Sequence, residues 1–241
     1  MIIIPARLAS TRLPNKVLAL IGNLPMVIKT AKAVSTLDEV VIATDSPKVV
    51  EVANSYNFKA ILTSTDHNSG TDRVYEAAKK LNLKKDEIII NLQADEPFIE
   101  KEVVKKLIDL TKSVASNKEI IATTCYKEIP KEKAIDENIV KVVTTKNDIA
   151  LYFSRSLIPF SRENNLNSYK AHLGLYGYTL EKLEEFCNMK SLFLEDIEKL
   201  EQLRILENNK KIALVKVESN SFGIDTINDL KRANKRYEEQ H

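Results

Sequence analysis

Short apolar runs alternate with amphipathic stretches along most of this chain. The runs at 2–4, 39–44, 59–63, 87–92, 120–126 and 211–217 are rich in β-branched residues and read as strands buried on both faces. Between them, 25–34, 47–56, 71–81 and 100–111 repeat apolar residues at three and four spacing, the pattern of amphipathic crossover helices. Alternation of this kind predicts βαβ units around a mainly parallel sheet. The stretch 139–178 breaks the pattern: apolar 140–143 and 149–153 flank Thr144-Thr-Lys-Asn-Asp148, a turn-like sequence that predicts extra antiparallel strands. Two further helices are predicted, one over 194–208 with a core stripe of Leu194, Ile197, Leu200 and Leu203, the other over 226–238. Without a visible repeat or linker, one domain over 1–241 is the expectation.

Charge and composition narrow the function classes. Lys and Arg number 36 against 34 Asp and Glu, a net charge of +2 that gives no electrostatic footprint for nucleic acid, so any anion recognition must be local. Cys125 and Cys187 lie far apart, with no Cys or His at metal-ligand spacing, which argues against a disulfide framework or a zinc site and fits a reduced, cytoplasmic home. No signal-like leader is visible, and no apolar run approaches the roughly 20 residues a membrane helix needs. With 5 glycines the chain has neither a Gly-x-Gly-x-x-Gly nor a Gly-x-x-x-x-Gly-Lys loop. A nucleotide would therefore have to be met by side-chain cations and metal.

Those cations follow the first strand. Residues 2–4 lead into a loop carrying Arg7, Arg12 and Lys16, and in open α/β sheets ligands sit at the carboxyl ends of strands, where a nucleotide's phosphates belong. A solvated loop is the plainer alternative. The strand at 87–92 runs into Gln93, Asp95 and Glu96 at the same edge. Downstream, Gly223-Ile-Asp225 supplies another carboxylate, with Gly223 allowing close backbone approach and Thr226 placed to cap the last helix. Asp95 and Asp225 are the candidate metal pair: hard carboxylate oxygens suit Mg²⁺, which commonly takes one or two of them plus substrate phosphates. Asp225 also suits an N-cap. Elsewhere, Arg155 has the fork for a carboxylate, while His172 and Tyr176 can bond hydroxyls, although a lone strand His is also a common structural residue. On the helix predicted at 194–208, Glu201, Gln202 and Arg204 fall near the border of a solvated face.

Taken in order, Pro5-Ala-Arg-Leu-Ala-Ser-Thr-Arg-Leu-Pro14 with Lys16, His67-Asn-Ser-Gly-Thr-Asp-Arg73, Asn91-Leu-Gln-Ala-Asp-Glu-Pro97, Tyr152-Phe-Ser-Arg155, His172-Leu-Gly-Leu-Tyr-Gly-Tyr178, Leu200-Glu-Gln-Leu-Arg204 and Gly223-Ile-Asp225 resemble the 3-deoxy-manno-octulosonate cytidylyltransferases, the CMP-Kdo synthetases of lipopolysaccharide assembly. The resemblance spans nearly the whole chain. It implies an α/β nucleotidyltransferase fold of the nucleotide-diphospho-sugar transferase type, commonly a homodimer built through a small antiparallel, strand-rich insert at about 139–178. It implies that Ala6, Arg7 and Gln93 contact the cytidine nucleotide of CTP, with Arg12 and Lys16 on its phosphates and Asp95 and Asp225 on Mg²⁺. For the sugar acid Kdo it implies Arg73, Arg155, His172, Tyr176, Glu201 and Gln202, with Arg73 equally suited to phosphate. Two positions depart from the family pattern: Asn15 stands where a glycine usually precedes the lysine, and Ala94 where a glycine usually precedes the aspartate.

The activity this implies is direct transfer of CMP from CTP to the anomeric hydroxyl of Kdo, with release of pyrophosphate and catalysis by Arg7, Lys16, Asp95 and Asp225 through positioning and charge. The sequence presents no nucleophile motif, so no covalent enzyme intermediate is expected. Other readings are the same chemistry on 8-amino-Kdo or another sugar acid, a metal-dependent glycosyltransferase, and a non-catalytic nucleotide-binding module.

Overall fold

The computed structural model describes residues 1–9, 12–67 and 69–239; Ser10 and Thr11 of the first motif and Asn68 of the second lie outside the described residues. The chain forms two compact units, one made of Met1–Lys105 with Ser219–His241 and the other of Lys106–Glu218.

In the first unit, β1 (Ile2–Ala6) is wholly buried and is followed by a short 3₁₀ turn at Lys16–Leu18. A hairpin of β2 (Leu20–Ile21) and β3 (Leu24–Pro25) precedes α1 (Met26–Val34). Then come β4 (Val40–Thr44), α2 (Pro47–Ser55), β5 (Lys59–Leu62), α3 (Gly70–Lys80) and β6 (Ile88–Asn91). The strands run parallel in the order β6-β1-β4-β5, with Ile3 opposite Asn91 on one side and Val41 on the other. The expected crossover architecture is thus present.

A proline inside a central strand needs a reason. Leu92 N donates to Ile3 O at 3.2 Å, so odd-numbered residues of β1 face β6. Pro5 therefore lacks its N–H on the side where β6 has already ended, and no ladder bond is lost. The two strands part at their carboxyl ends, and the first turn of α3 closes over Pro5: a Cβ on Gly70 would lie 3.3 Å from Pro5 Cγ.

Helix α4 (Lys101–Ser113) leads into the second unit, whose β7 (Ile120–Pro130) is followed by the single turn α5 (Lys131–Ala134). Strands β8 (Lys141–Thr144) and β9 (Ala150–Ser154) form the antiparallel hairpin predicted from the turn sequence, with Asp148 left-handed at φ 50°. Strand β10 (Ser168–Thr179) runs antiparallel to β7 with an irregularity between Leu173 and Tyr176. Thr124 lies against that irregularity, its hydroxyl within hydrogen-bonding distance of the Leu173 and Leu175 carbonyls, at 3.1 and 2.7 Å. Helices α6 (Leu180–Asn188), α7 (Phe193–Glu198) and α8 (Leu203–Glu207) and strand β11 (Lys211–Lys216), parallel to β7, complete this unit, and α9 (Ile227–Glu238) belongs to the first.

One predicted element is corrected. The helix expected over 194–208 is two short helices, because Lys199 takes a left-handed conformation at φ 52° and ends α7. Ile197, counted in the core stripe, is 67% exposed, whereas Leu200 and Leu203 are buried. The face assumed to be solvated is also largely withdrawn: Gln202 is buried, and Arg204 grips Glu195 through Nε at 2.7 Å and Nη2 at 2.6 Å. Among the described residues, no helix is long and apolar enough to cross a membrane.

Candidate functional site

The first unit gathers its charges at the carboxyl ends of β1 and β6. Arg7 is exposed just past β1, beyond the fully buried Ala6. The chain reaches Lys16 through Asn15, which is left-handed at φ 54°, ψ 32°; asparagine tolerates that region better than other residues with a Cβ, so it can stand in for glycine. Lys16 Nζ donates to Asp95 Oδ2 at 2.6 Å and to Asp225 Oδ1 at 2.9 Å, and Arg12 Nη2 lies 3.1 Å from the same Asp225 oxygen. Burial works against the Lys16 charge, but the two carboxylates outweigh it and hold the ammonium above the ordinary lysine range.

Backbone contacts aim both carboxylates. Ile224 N donates to Asp95 O at 3.0 Å, tying the 223–225 segment to the β6 loop. Thr30 Oγ1 donates to Ala94 O at 2.8 Å, and Ala94 is not among the residues with positive φ, so alanine there carries no left-handed strain. The helix cap is Thr226, paired with Asp229 in a capping box, which leaves Asp225 free of that task. Gly223 is not held by crowding, since a Cβ there would meet only Glu96 Oε1, at 3.5 Å. Among the described residues no cluster of three or more His, Cys, Asp or Glu forms a metal cage. The pair Asp95 and Asp225 nevertheless fits a divalent ion: hard oxygens from two loops already converge on one cationic atom, and Mg²⁺ commonly asks for no more protein ligands.

Arg73 is placed otherwise than a simple ligand reader. It is buried, with Nη2 on Asp45 Oδ2 at 3.0 Å and Nη1 on Thr63 Oγ1 at 2.6 Å and Ser64 O at 3.1 Å. Asp45 Oδ1 in turn accepts from Leu8 N at 3.2 Å, so this pair braces the loop that carries Arg7. Sequence reasoning missed Asp45, although its place at the end of β4 was the available signal. Gln93 Nε2 donates to Asn91 Oδ1 at 3.1 Å, and Asn91 Nδ2 to Thr71 Oγ1 at 3.2 Å.

The second unit assembles Arg155, His172, Tyr176 and the 198–202 segment. His172 stands on β10 with its ring edge-on to Phe153 at 5.1 Å and tilted against Tyr176 at 5.4 Å. Its surroundings push its pKa down to about 3 by burial, so the ring is neutral at physiological pH. His172 Nε2 sits 2.9 Å from Thr124 Oγ1. The neutral ring has one N–H and one lone pair, and the Thr124 hydroxyl meets Nε2 as donor or as acceptor according to the tautomer. Burial, and then the Glu201 carboxylate, hold Tyr176 well above the usual tyrosine range, keeping its hydroxyl protonated. Arg155 Nε donates to Glu198 O at 2.9 Å and Nη1 to Glu137 O at 3.2 Å, neutral partners that leave its charge uncompensated by any ion pair among the described residues.

The model of a family described as cytidylyltransferase matches residues 1–212. A 3-deoxy-manno-octulosonate cytidylyltransferase from Nitratiruptor sp. is 54% identical over 97% of this chain and 98% of its own length. A protein of the same description from Helicobacter acinonychis is 51% identical over 97% and 96%. A solved structure of CMP:2-keto-3-deoxy-manno-octonic acid synthetase complexed with CTP is 34% identical, covers 100% of this chain and 98% of its own, and superposes with a TM-score of 0.91.

Proposed function

Since the chain belongs to the cytidylyltransferase family, among the 3-deoxy-manno-octulosonate cytidylyltransferases, we propose that it transfers CMP from CTP to the anomeric hydroxyl of Kdo, giving CMP-Kdo and pyrophosphate for lipopolysaccharide assembly. The observation that carries this reading is the convergence of Asp95 and Asp225 on one cationic point beside Arg12, at the end of strands built for a nucleotide.

In the reaction the anomeric oxygen attacks the α-phosphorus, the bond to the pyrophosphate oxygen breaks, and the hydroxyl proton leaves to water. Arg7, Arg12 and Lys16 neutralise the triphosphate and the departing pyrophosphate, while Ala6 and Gln93 seat the cytidine. Asp95 and Asp225 would hold Mg²⁺, which when bound supplies charge neutralisation at the phosphates and lowers the pKa of the attacking hydroxyl. Arg155 takes the Kdo carboxylate through a charge-assisted bond, and His172, Tyr176, Glu201 and Gln202 read its hydroxyls. His172 bonds one of them through Nδ1. Arg73 supports the phosphate-binding cations through the Asp45 brace on the loop that carries Arg7. We also infer a cytoplasmic homodimer joined through the strand-rich segment 139–178, where Leu151 and Phe160 are exposed.

The test is pyrophosphate release from the purified protein with Mg²⁺, crossing CTP, UTP, ATP and GTP with Kdo, 8-amino-Kdo and N-acetylneuraminate. Release confined to CTP with Kdo is the expected result. Preference for another acceptor changes the substrate and keeps the chemistry, and silence throughout with folded, metal-loaded protein overturns the reading.

A further inference from the structure

Lys141 opens β8 with none of its surface exposed. An ammonium taken out of water is costly unless every donor is satisfied, and a methionine would fill the same volume without that cost. Burial pulls its pKa down, so the charge is held against the environment. Nζ donates to Asp136 O at 3.0 Å, Ile139 O at 2.6 Å and Arg155 O at 2.5 Å, which uses all the donors an ammonium has. These acceptors belong to two segments: the turn at 136–139 and the main chain of Arg155.

Arg155 returns to that same turn through Nη1, on Glu137 O. From the other side, Glu198 accepts Arg155 N at 2.9 Å and Ser154 Oγ at 2.5 Å, and its carbonyl takes Arg155 Nε at 2.9 Å. Arg155 is thus fixed at its main-chain N–H, its carbonyl, Nε and Nη1, and only Nη2 has no partner among the described residues.

We propose that Lys141 is a positioning residue for recognition of the acceptor's carboxylate: by tying the 136–139 turn to the Arg155 carbonyl, it sets the guanidinium in the orientation that leaves Nη2 to the ligand. This rests on the reading of the protein as a Kdo-using enzyme and names a residue through which that reading works. A neutral side chain at 141 frees the turn, and the turn's hold on Nη1 goes with it.

The experiment compares wild type, Lys141→Met, Arg155→Ala and the double variant in steady state with CTP and either Kdo or its methyl ester. Displacements of about 1 Å at a reacting substrate cost up to about 100-fold, so KM for Kdo should rise about 10- to 100-fold in Lys141→Met while KM for CTP stays within about twofold. The methyl ester, which lacks the charge, should not distinguish Lys141→Met from wild type, and Lys141→Met should add little to Arg155→Ala. Equal damage to both substrates, or an undiminished effect in the Arg155→Ala background, makes Lys141 merely structural and overturns the proposal. A second readout needs no substrate: the Arg155 Nε–H resonance, assigned by its loss in Arg155→Lys, should exchange slowly in wild type and faster in Lys141→Met. If wild type turns over no Kdo, the functional reading fails while this exchange still decides the role of Lys141. Should Lys141→Met not fold, Asp136→Ala loosens the turn from the surface, where Asp136 Oδ1 caps Asn138 N at 2.9 Å, and should shift the exchange in the same direction by less. Unchanged exchange there overturns the proposal.

Discussion

The two units hold their functional side chains in opposite ways. In the first, charge meets charge: Lys16 sits between Asp95 and Asp225, and Arg73 grips Asp45. In the second, the Arg155 guanidinium is held by the main-chain carbonyls of Glu198 and Glu137, while its own backbone N–H donates to the Glu198 carboxylate, and His172 is held by a threonine hydroxyl and aromatic edges. A group neutralised by an opposite charge must change partners when an anionic substrate arrives; a group held by neutral partners keeps its contacts and offers its charge unspent. The first arrangement suits a centre whose charges are redistributed as the reaction proceeds, the second a preorganised reader. Substitutions in the first unit should therefore appear in turnover, and those in the second in acceptor KM.

The sharpest break in this comparison is at the carboxylates. Asp95→Asn and Asp225→Asn should each lower turnover by about 100- to 1,000-fold, the scale of losing one preorganised electrostatic group, with circular dichroism unchanged. Chelation of divalent ions should silence wild type and be reversed by Mg²⁺. Near-normal turnover in Asp225→Asn would reduce Asp225 to an anchor for Lys16 and Arg12. Next comes Arg73→Lys, which keeps the charge but loses the fork. Its expected cost is about 1–3 kcal/mol of stability in urea titration, because one bond of a buried network is left unmade. A rise in KM for Kdo at unchanged stability would instead make Arg73 a sugar contact and place a ligand reader among the paired charges.

The neutral-partner side is probed by pH. His172 has a folded-state pKa near 3, below its ordinary 6.5, so the unfolded chain takes up a proton that the folded chain refuses. Its contribution to stability is complete above pH 6.5 and is lost progressively as pH falls toward 3. Glu76 is also depressed, to about 2: burial opposes its charge, but Lys80, the Ser64 N–H and His67 outweigh it, and its loss begins only below 4.5. His172→Gln should accordingly flatten the stability curve between pH 6.5 and 4.5 and leave the fall below 4.5 in place. An unchanged curve would mean that His172 titrates normally and that its surroundings do not hold the ring neutral.

The parts legible in the sequence are those decided by local pattern. Buried parallel strands show as unbroken apolar runs, and charges just past such runs, as at Arg7 and Asp95, stand out because a strand's end has no other use for them. The break at Lys199 does not show, because the leucine spacing on either side is helical and the interruption depends on distant partners: Glu198 drawn to Arg155 and Ser154, and Glu207 accepting Leu194 N at 2.9 Å. Helix α6 had a readable signal in Thr179 as cap and the spacing of Leu180, Leu183 and Phe186. Lys141 had none, since its acceptors are carbonyls of a turn whose shape no local pattern announces.

The smallest effect tests how the charged unit is aimed. Asn15 bears no bond to the chemistry, yet its left-handed backbone is the pivot that delivers Lys16 to both carboxylates, with Leu18 N closing the turn on Asn15 O at 2.8 Å. Asn15→Ala should cost about 1 kcal/mol, because the added strain falls on a residue with a Cβ at positive φ and no compensating side-chain polarity. Asn15→Gly should be near neutral, its ease in the folded turn offset by greater freedom when unfolded. If the pivot positions Lys16, turnover falls in the alanine variant and not in the glycine variant, while KM for Kdo stays put in both. Equal turnover in all three proteins would show that the two carboxylates alone set the ammonium's position and that the turn merely follows.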